Sequence, residues 1–339
     1  MTRLVAGLLA VLLVVAGCAR GTGGSPVTGP RDADPAAFFA GEVPDHGRSL
    51  TEQQSATQAY LRAVRRVDPC GFATREAMAG VGDVLTAGTM FEFNSCELEV
   101  KVAGDADPKI VSVAVAMTDI GDAAPVFTVG ERPVYPYFDA GCGLQVPLPL
   151  SALPGAPVLT TSQQPYLQLA ELVSQQGCEF VDAMTKAIVA ALDPLRIPLR
   201  DAVAVYPVRA AERDPCEVLD RLDRVASWNP DVDQPFLCDF ALRRDDSDVA
   251  LRLEMSPRSP KDSERDFLLE ERDGVDVYVG AQYCAAIAFV GRELVRTSSG
   301  GASMDMGEWA TSPAVTASAD APHCDAATDV AVAAAKTFG

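Results

Sequence analysis

An α+β fold made of two tandem copies of a disulfide-stapled domain is predicted by three observations. Eight of the nine cysteines form two quartets: Cys70, Cys96, Cys142 and Cys178, then Cys216, Cys238, Cys284 and Cys324, offset by 146, 142, 142 and 146 residues. Apolar residues alternate after the second cysteine of each quartet, as on a half-buried strand. An acid and a helical run follow the last cysteine of each quartet. Each copy is therefore expected to be an antiparallel sheet with an opening and a closing helix, the helices packed on one sheet face.

Residues 1–17 read as a lipoprotein signal peptide. Arg3 is the positive start, and residues 4–17 are apolar, a run of 14. That is too short for a hydrocarbon core of ~30 Å, which needs ~20 residues. Val15-Ala16-Gly17-Cys18 resembles the bacterial lipobox. The resemblance implies lipidation of the Cys18 thiol and a mature chain that begins there. Acyl chains on Cys18 would hold the protein to the cell membrane, facing the extracytoplasmic side. An oxidising compartment there agrees with paired cysteines. Residues 18–50, with many Gly and Pro and no sustained periodicity, read as a flexible tether with a reach of roughly 30 Å. Residues 51–194 are then the first four-cysteine domain and 195–339 the second.

Within each domain the elements follow in order. Asp68-Pro69 and Asp214-Pro215 read as helix starts, with an Asp N-cap and Pro at the first helical position. Residues 60–70, ending Asp-Pro-Cys, lie over residues 206–216, and Val218, Leu219, Leu222 and Val225 share one helical face. Strands follow: Cys96, Leu98, Val100 and Val102 alternate, as do Cys238, Phe240 and Leu242, then Val249, Leu251, Leu253 and Met255. Gly104-Asp-Ala-Asp-Pro108 and Asp245-Asp-Ser-Asp248 read as the intervening hairpin turns. Further strands are expected near 126–129, 134–148 and 275–290, where Val134-Tyr135 matches Val277-Tyr278. Leu144, Val146 and Leu148 share parity with Cys142, whereas Ile287 and Phe289 are out of phase with Cys284; a bulge, or burial on both faces, reconciles them. Closing helices are expected over 179–192 and 325–338, opened by acids that suit the helix dipole. Four cysteines allow three pairings. The expected one joins neighbours across short connections: Cys70–Cys96, Cys142–Cys178, Cys216–Cys238 and Cys284–Cys324.

The Asp-Pro-Cys starts, the Cys96-Glu and Cys238-Asp strands, the later strand cysteine and the cysteine opening the last helix form a set. It resembles an actinobacterial family of extracytoplasmic lipoproteins of unknown function. It is also distantly similar to the extracellular sensor domains of mycobacterial serine/threonine kinases. The resemblance spans residues 57–192 and 203–339. It implies a surface module that senses a ligand or partner and carries over no catalytic residue. This chain departs from the kinase sensors in having two units and no kinase.

The formal charge is −19, with 47 acids spread through both halves. Such a surface repels phosphate, so nucleic acid is not expected as a partner, and a ligand is expected to be uncharged or basic. His46 and His323 have no metal-ligand spacing, no Cys-x-x-Cys occurs, and Asp245, Asp246 and Asp248 lack the EF-hand pattern. No nucleophile elbow or phosphate-cradling loop is present. No cofactor, metal or catalytic residue is therefore assigned. Tyr135, Tyr137 and Phe138, with Pro133 and Pro136, are the densest aromatic cluster; Trp228 and Trp309 are the two indoles, and Met304 and Met306 lie in a Gly/Ser-bordered loop. The function expected is a lipid-anchored binding or sensing module without catalysis, for an envelope protein, glycan or small ligand. The alternatives are a transporter's solute-binding lipoprotein, or a cell-wall hydrolase with two carboxyls ~5–9 Å apart in a cleft.

Overall fold

The structure, a computed structural model, describes residues 34–137, 142–172, 178–192, 196–200, 209–294, 296–298, 303–304 and 310–339. The lipidation motif at Cys18 lies outside them, as do Phe138, Met306 and Trp309. No helix among the described residues is long and apolar enough to cross a membrane.

Two antiparallel sheets carry the fold. The first half supplies β1 (Asp83–Gly88), β2 (Ser95–Lys101), β3 (Lys109–Thr118), β4 (Phe127–Val129), β5 (Arg132–Pro136), β6 (Gly143–Pro147) and β7 (Gln164–Glu171), ordered β1-β2-β3-β7-β6-β5-β4. The second supplies β8 (Val225–Trp228), β9 (Leu237–Arg244), β10 (Ser247–Arg258), β11 (Leu268–Arg272), β12 (Val275–Gly280) and β13 (Ala285–Phe289). It continues with β14 (Arg296–Ser298), β15 (Ser303–Met304) and β16 (Ser312–Ala319). Its own sheet runs β8-β9-β10-β16-β13-β12-β11, the strand order of the first sheet repeated. Even the bulges match: the register shifts between Val84 and Thr86 on β1, and between Val225 and Ser227 on β8.

The two strands left over, β14 and β15, leave their own half. β14 pairs antiparallel with β1 through Thr86↔Ser298 and Ala87↔Thr297, and β15 pairs with β14, so the first sheet becomes nine-stranded. The first half reciprocates. Its β1–β2 turn places Phe93, fully buried, in the second core against Phe236, ring centroids 5.4 Å apart.

Helices cover one face of each sheet. α1 (Glu52–Arg66) starts with a capping box between Thr51 and Gln54 and buries Tyr60, Leu61 and Val64 over the first core. α2 (Glu179–Ala191) packs Val181 and Val189 against Val134, Leu144 and Val146 near the far strands. α3 (Pro260–Asp266) connects β10 to β11, and α4 (Cys324–Phe338) covers the second sheet.

Four disulfides hold these parts. Cys70–Cys96 and Cys216–Cys238 tie the two Asp-Pro-Cys turns to β2 and β9, with Cα atoms 5.1 and 5.3 Å apart. Cys142–Cys178 and Cys284–Cys324 join the strands β6 and β13 to the starts of α2 and α4, at 5.1 and 4.1 Å.

Two expectations are corrected, and one open alternative is resolved. The Asp-Pro-Cys segments open with the predicted Asp caps, Asp68 and Asp214, but form 3-10 helices, Pro69–Phe72 and Pro215–Arg221, instead of opening α-helices. Each is tied to a strand at its second residue, and in the second unit the chain turns directly into the sheet's first strand. In the second unit Arg224, at φ 63°, makes that turn, so Val225 belongs to β8. The β13 mismatch is resolved by burial on both faces: Ala286 and Ala288 face the core, and Ile287 is buried on the opposite side, opposite Thr316. Finally, residues 34–50 are docked on the folded body. Phe38 and Phe39 join the first core, and Arg62 donates to the carbonyls of Gly41 (3.0 Å) and Glu42 (2.5 Å). His46 stacks edge-on to Trp228 in the second half, 5.0 Å between centroids, and Leu50 packs on the second core. The Gly/Pro content that reads as tether hides two phenylalanines that bury well.

Candidate functional site

The proline–tyrosine cluster sits where β5, β6 and β7 end side by side. Pro133, Pro147 and Pro165 lie on these three strands at adjacent positions. Proline donates no ladder hydrogen bond. β5 and β6 pair only at Tyr135↔Gln145 and Pro136↔Leu144 and splay beyond, whereas β6 and β7 stay joined through Leu148 N–H and the Pro165 carbonyl (2.8 Å). Here the splay leaves a recess of about 410 Å³ between Glu131, Arg132, the prolines, Gln164 and Tyr166. Gly130, at φ 60°, makes the tight β4–β5 turn at its mouth.

The floor is rigid. Tyr166 is buried and meets Tyr135 edge-to-face, centroids 6.3 Å apart. Burial pushes the Tyr166 phenol above its ordinary value, and Tyr135 and Asp119 add to the shift. It therefore stays protonated, able to donate and accept, through the physiological range. Behind it runs a ladder of amides on the sheet face away from the helices. Gln168 Nε2 donates to Thr118 Oγ1 (3.1 Å) and Gln145 Oε1 (3.4 Å), and Gln145 Nε2 donates to the Pro136 carbonyl (3.0 Å). Asp119 accepts from Ser162 Oγ (2.5 Å) and the Gly121 amide (2.8 Å), which hold its carboxyl below the ordinary range. Cys142–Cys178 clamps β6 to α2 on the opposite face.

A recess with proline and tyrosine walls, an amide and one charge of each sign at its rim suits an uncharged or zwitterionic ligand. Rings stack on such walls, and the few polar groups fix orientation. Tyr278 stands at the register position of Tyr135, one opposite Ile287 and the other opposite Gln145, and stacks on Phe289 at 5.7 Å.

Other singled-out residues have structural places. Trp228 is buried beside His46, whose Nδ1 lies 3.4 Å from Asp220. His323 precedes α4. Asp245 and Asp246 form the β9–β10 hairpin turn, and Asp248 pairs with Arg243. Among the described residues no group of three or more His, Cys, Asp or Glu is placed to hold a metal.

Sequence reading missed the seam between the halves. Arg65 is buried, donating to Asp214 (2.6 Å) and to the Pro235 carbonyl (2.8 Å). Asp214 is also the N-cap acceptor for Cys216 N–H at 2.9 Å, so one carboxylate serves both units. Gln58 Nε2 reaches the Pro230 carbonyl at 2.8 Å. Glu92 faces Glu254 across the seam. Burial first, then the Glu254 charge, push the Glu92 carboxyl above its ordinary range, while a hydrogen bond with Asn94 pulls the other way. The arginine spacing on α1 carried no sign of a partner 149 residues away. Comparison with protein-family models, with curated proteins and with solved structures found no match.

Proposed function

We propose that this chain is a lipid-tethered binding or sensing module on the extracytoplasmic face of the cell membrane, built from two copies of one stapled fold and acting without catalysis. The recess beneath Pro133, Pro147 and Tyr166 carries this reading: it is preformed, uncharged overall, and set in a sheet clamped by a disulfide. Preformed surfaces bind with less ordering cost. Repeated strand order, matched bulges and matched disulfides support duplication from a single unit. The Val-Ala-Gly-Cys motif supports acylation at Cys18, and its resemblance to extracytoplasmic lipoproteins supports the location.

Mass spectrometry of the membrane fraction tests the anchor: lipid is expected on Cys18, and a Cys18→Ser chain that stays membrane-bound at the wild-type mature mass refutes it. A pull-down with the purified chain from envelope extract tests the binding. Pro133→Ala with Gln164→Ala is expected to lose the captured component. A parallel hydrolase screen on cell-wall polymers is expected to be silent. Turnover abolished by one Asp or Glu substitution would replace the binding reading with the carboxylate hydrolase.

A further inference from the structure

A second cavity has the opposite character from the protein as a whole. It measures about 850 Å³ and lies between α4, the end of β9 and the Asp214 turn. Arg221 ends the 3-10 helix, and Arg224 follows at the left-handed corner. Arg243 and Arg244 end β9, Arg272 ends β11, and Lys336 lies in the last turn of α4. Six cationic side chains thus meet three anionic ones, Asp223, Asp273 and Asp329, in a chain of formal charge −19.

Four of the cations hold counter-ions, each exposed. Arg244 pairs with Asp329 (2.5 Å), Arg272 with Glu270 (2.6 Å), Arg243 with Asp248 (2.5 Å) and Lys336 with Asp273 (3.3 Å). Exposed pairs contribute little to stability and exchange readily for a better acceptor. Among the described residues Arg221 and Arg224 have no ion-pair partner. Guanidinium groups converging from separate elements match the geometry of phosphate oxygens.

The first unit provides an internal contrast. Arg75 and Lys101 stand five residues after Cys70 and Cys96, as Arg221 and Arg243 stand after Cys216 and Cys238. They line a cavity of about 790 Å³ at the matching place. There Lys101 Nζ is spent on the carbonyls of Asp105 (2.5 Å) and Ala106 (2.7 Å), and Asp83 occupies the register position of Arg224. One position of two has gathered cations.

We propose that the cleft at α4 binds an anion carrying two or more phosphate groups. The acidic surface elsewhere does not forbid it, because charges are screened beyond ~8 Å at physiological salt. The local arginines decide.

The test is calorimetric titration of the full chain with pyrophosphate in physiological salt. Binding is expected, and Arg221→Gln with Arg224→Gln should weaken it about tenfold or more, as expected for lost charge-assisted contacts. Arg75→Gln should leave it unchanged, and Asp329→Asn, which frees Arg244, should strengthen it. Both arginines are surface residues, and an unchanged melting temperature will show that the double variant is folded. Sedimentation of the Cys18→Ser chain, which has no thiol at 18 to carry acyl chains, distinguishes the source. Capture by cardiolipin vesicles, whose headgroup carries two phosphates, but not by phosphatidylcholine, lost in the double variant, assigns a lipid headgroup. Equal behaviour on both vesicles with pyrophosphate binding intact assigns a soluble phosphate ester. Absence of pyrophosphate binding, or equal affinity in the double variant, overturns the proposal.

Discussion

The helix and segments over the first sheet bring bulky side chains, and the helix over the second brings mostly small ones. Phe38, Tyr60, Leu61 and Met78 fill the first core, brought by residues 34–50, by α1 and by the segment before β1. The second core lies under α4, whose buried face is mostly alanine, Ala326, Ala327, Ala331, Ala334 and Ala335, with Val330, Val332 and Phe338 among them. An alanine face lets a helix sit close to its sheet, but it removes little apolar area from water. The second unit's own strands and loops supply Trp228, Phe236, Phe240 and Met255 beneath it, and Phe93 and Leu50 join them from earlier in the chain. Identical strand order therefore does not imply equal self-sufficiency. Each core borrows, the first Ile197 and Leu199 from the chain that follows it and the second a full aromatic ring, Phe93.

Truncating the borrowed ring should sharpen that contrast most. Phe93→Ala is expected to cost about 4 kcal/mol, as for a large ring removed from a packed core. Its loss should fall on the second unit, so denaturant unfolding followed at Trp228 should shift further than loss of hydrogen-exchange protection on β3. A shift confined to the first unit would break the asymmetry.

The disulfides should instead behave alike. Cys70–Cys96 and Cys216–Cys238 close loops of 26 and 22 residues. Chain entropy assigns about 3.5 kcal/mol to each. Replacing either pair by serine, with stability measured in urea, is expected to give losses equal within about 0.5 kcal/mol by loop length. A much larger loss in the second unit would show that its thin core leans on the staple.

A smaller effect separates the acids after the strand cysteines. Glu97 is buried and accepts from the Met90 amide and Ser95 Oγ, both at 2.7 Å. At the same register position Asp239 makes an exposed two-point pair with Arg252 at 2.8 and 3.0 Å. Glu97→Ala should cost about 2 kcal/mol, because it strands a buried donor. Asp239→Ala should cost about 0.5 kcal/mol. Equal losses would mean the two outer faces are equivalent after all.

The smallest effect belongs to the seam. The Glu92 carboxyl is held above its ordinary range, so the folded state takes up a proton before the unfolded one does. Its charge therefore destabilises the fold above the raised value, and that penalty fades as pH falls toward the ordinary carboxyl range. Glu92→Gln should raise the melting temperature slightly at neutral pH and not at pH ~4. A gain that persists in acid would point to packing in place of charge.

The sequence made the local parts of this fold legible and left the long-range parts hidden. The β2–β3 and β9–β10 hairpins announce themselves by alternation and Asp/Gly turns, and α2 and α4 by acids after cysteine. The strands β7 and β16, central to their sheets, do not. β16 is Ser-Pro-Ala-Val-Thr-Ala-Ser-Ala, with little apolar contrast between its faces. Small side chains pack on both sides there, so period-two patterning is weak. α1 has a capping box, but its buried face includes Thr57, Gln58 and Arg65, which break the apolar stripe. The recess was legible as composition, through Pro133, Tyr135 and Pro136, but Pro147, Pro165 and Tyr166 reach it only through strand pairing. Nothing local marks residues 296–298 as the partner of β1.

That last pairing sets a schedule for the newborn chain. A ribosome delivers β1 early, and its outer edge has no partner until β14 arrives roughly 200 residues later, a closure of very high contact order. Meanwhile the edge offers unpaired N–H and C=O groups to any passing strand. A protein cut near residue 195 would keep that edge open for good, and its other half would lack the ring that completes its interior. The chain is thus two units to the eye and a single object to the folding process, finished only when its final third comes back to close the first sheet.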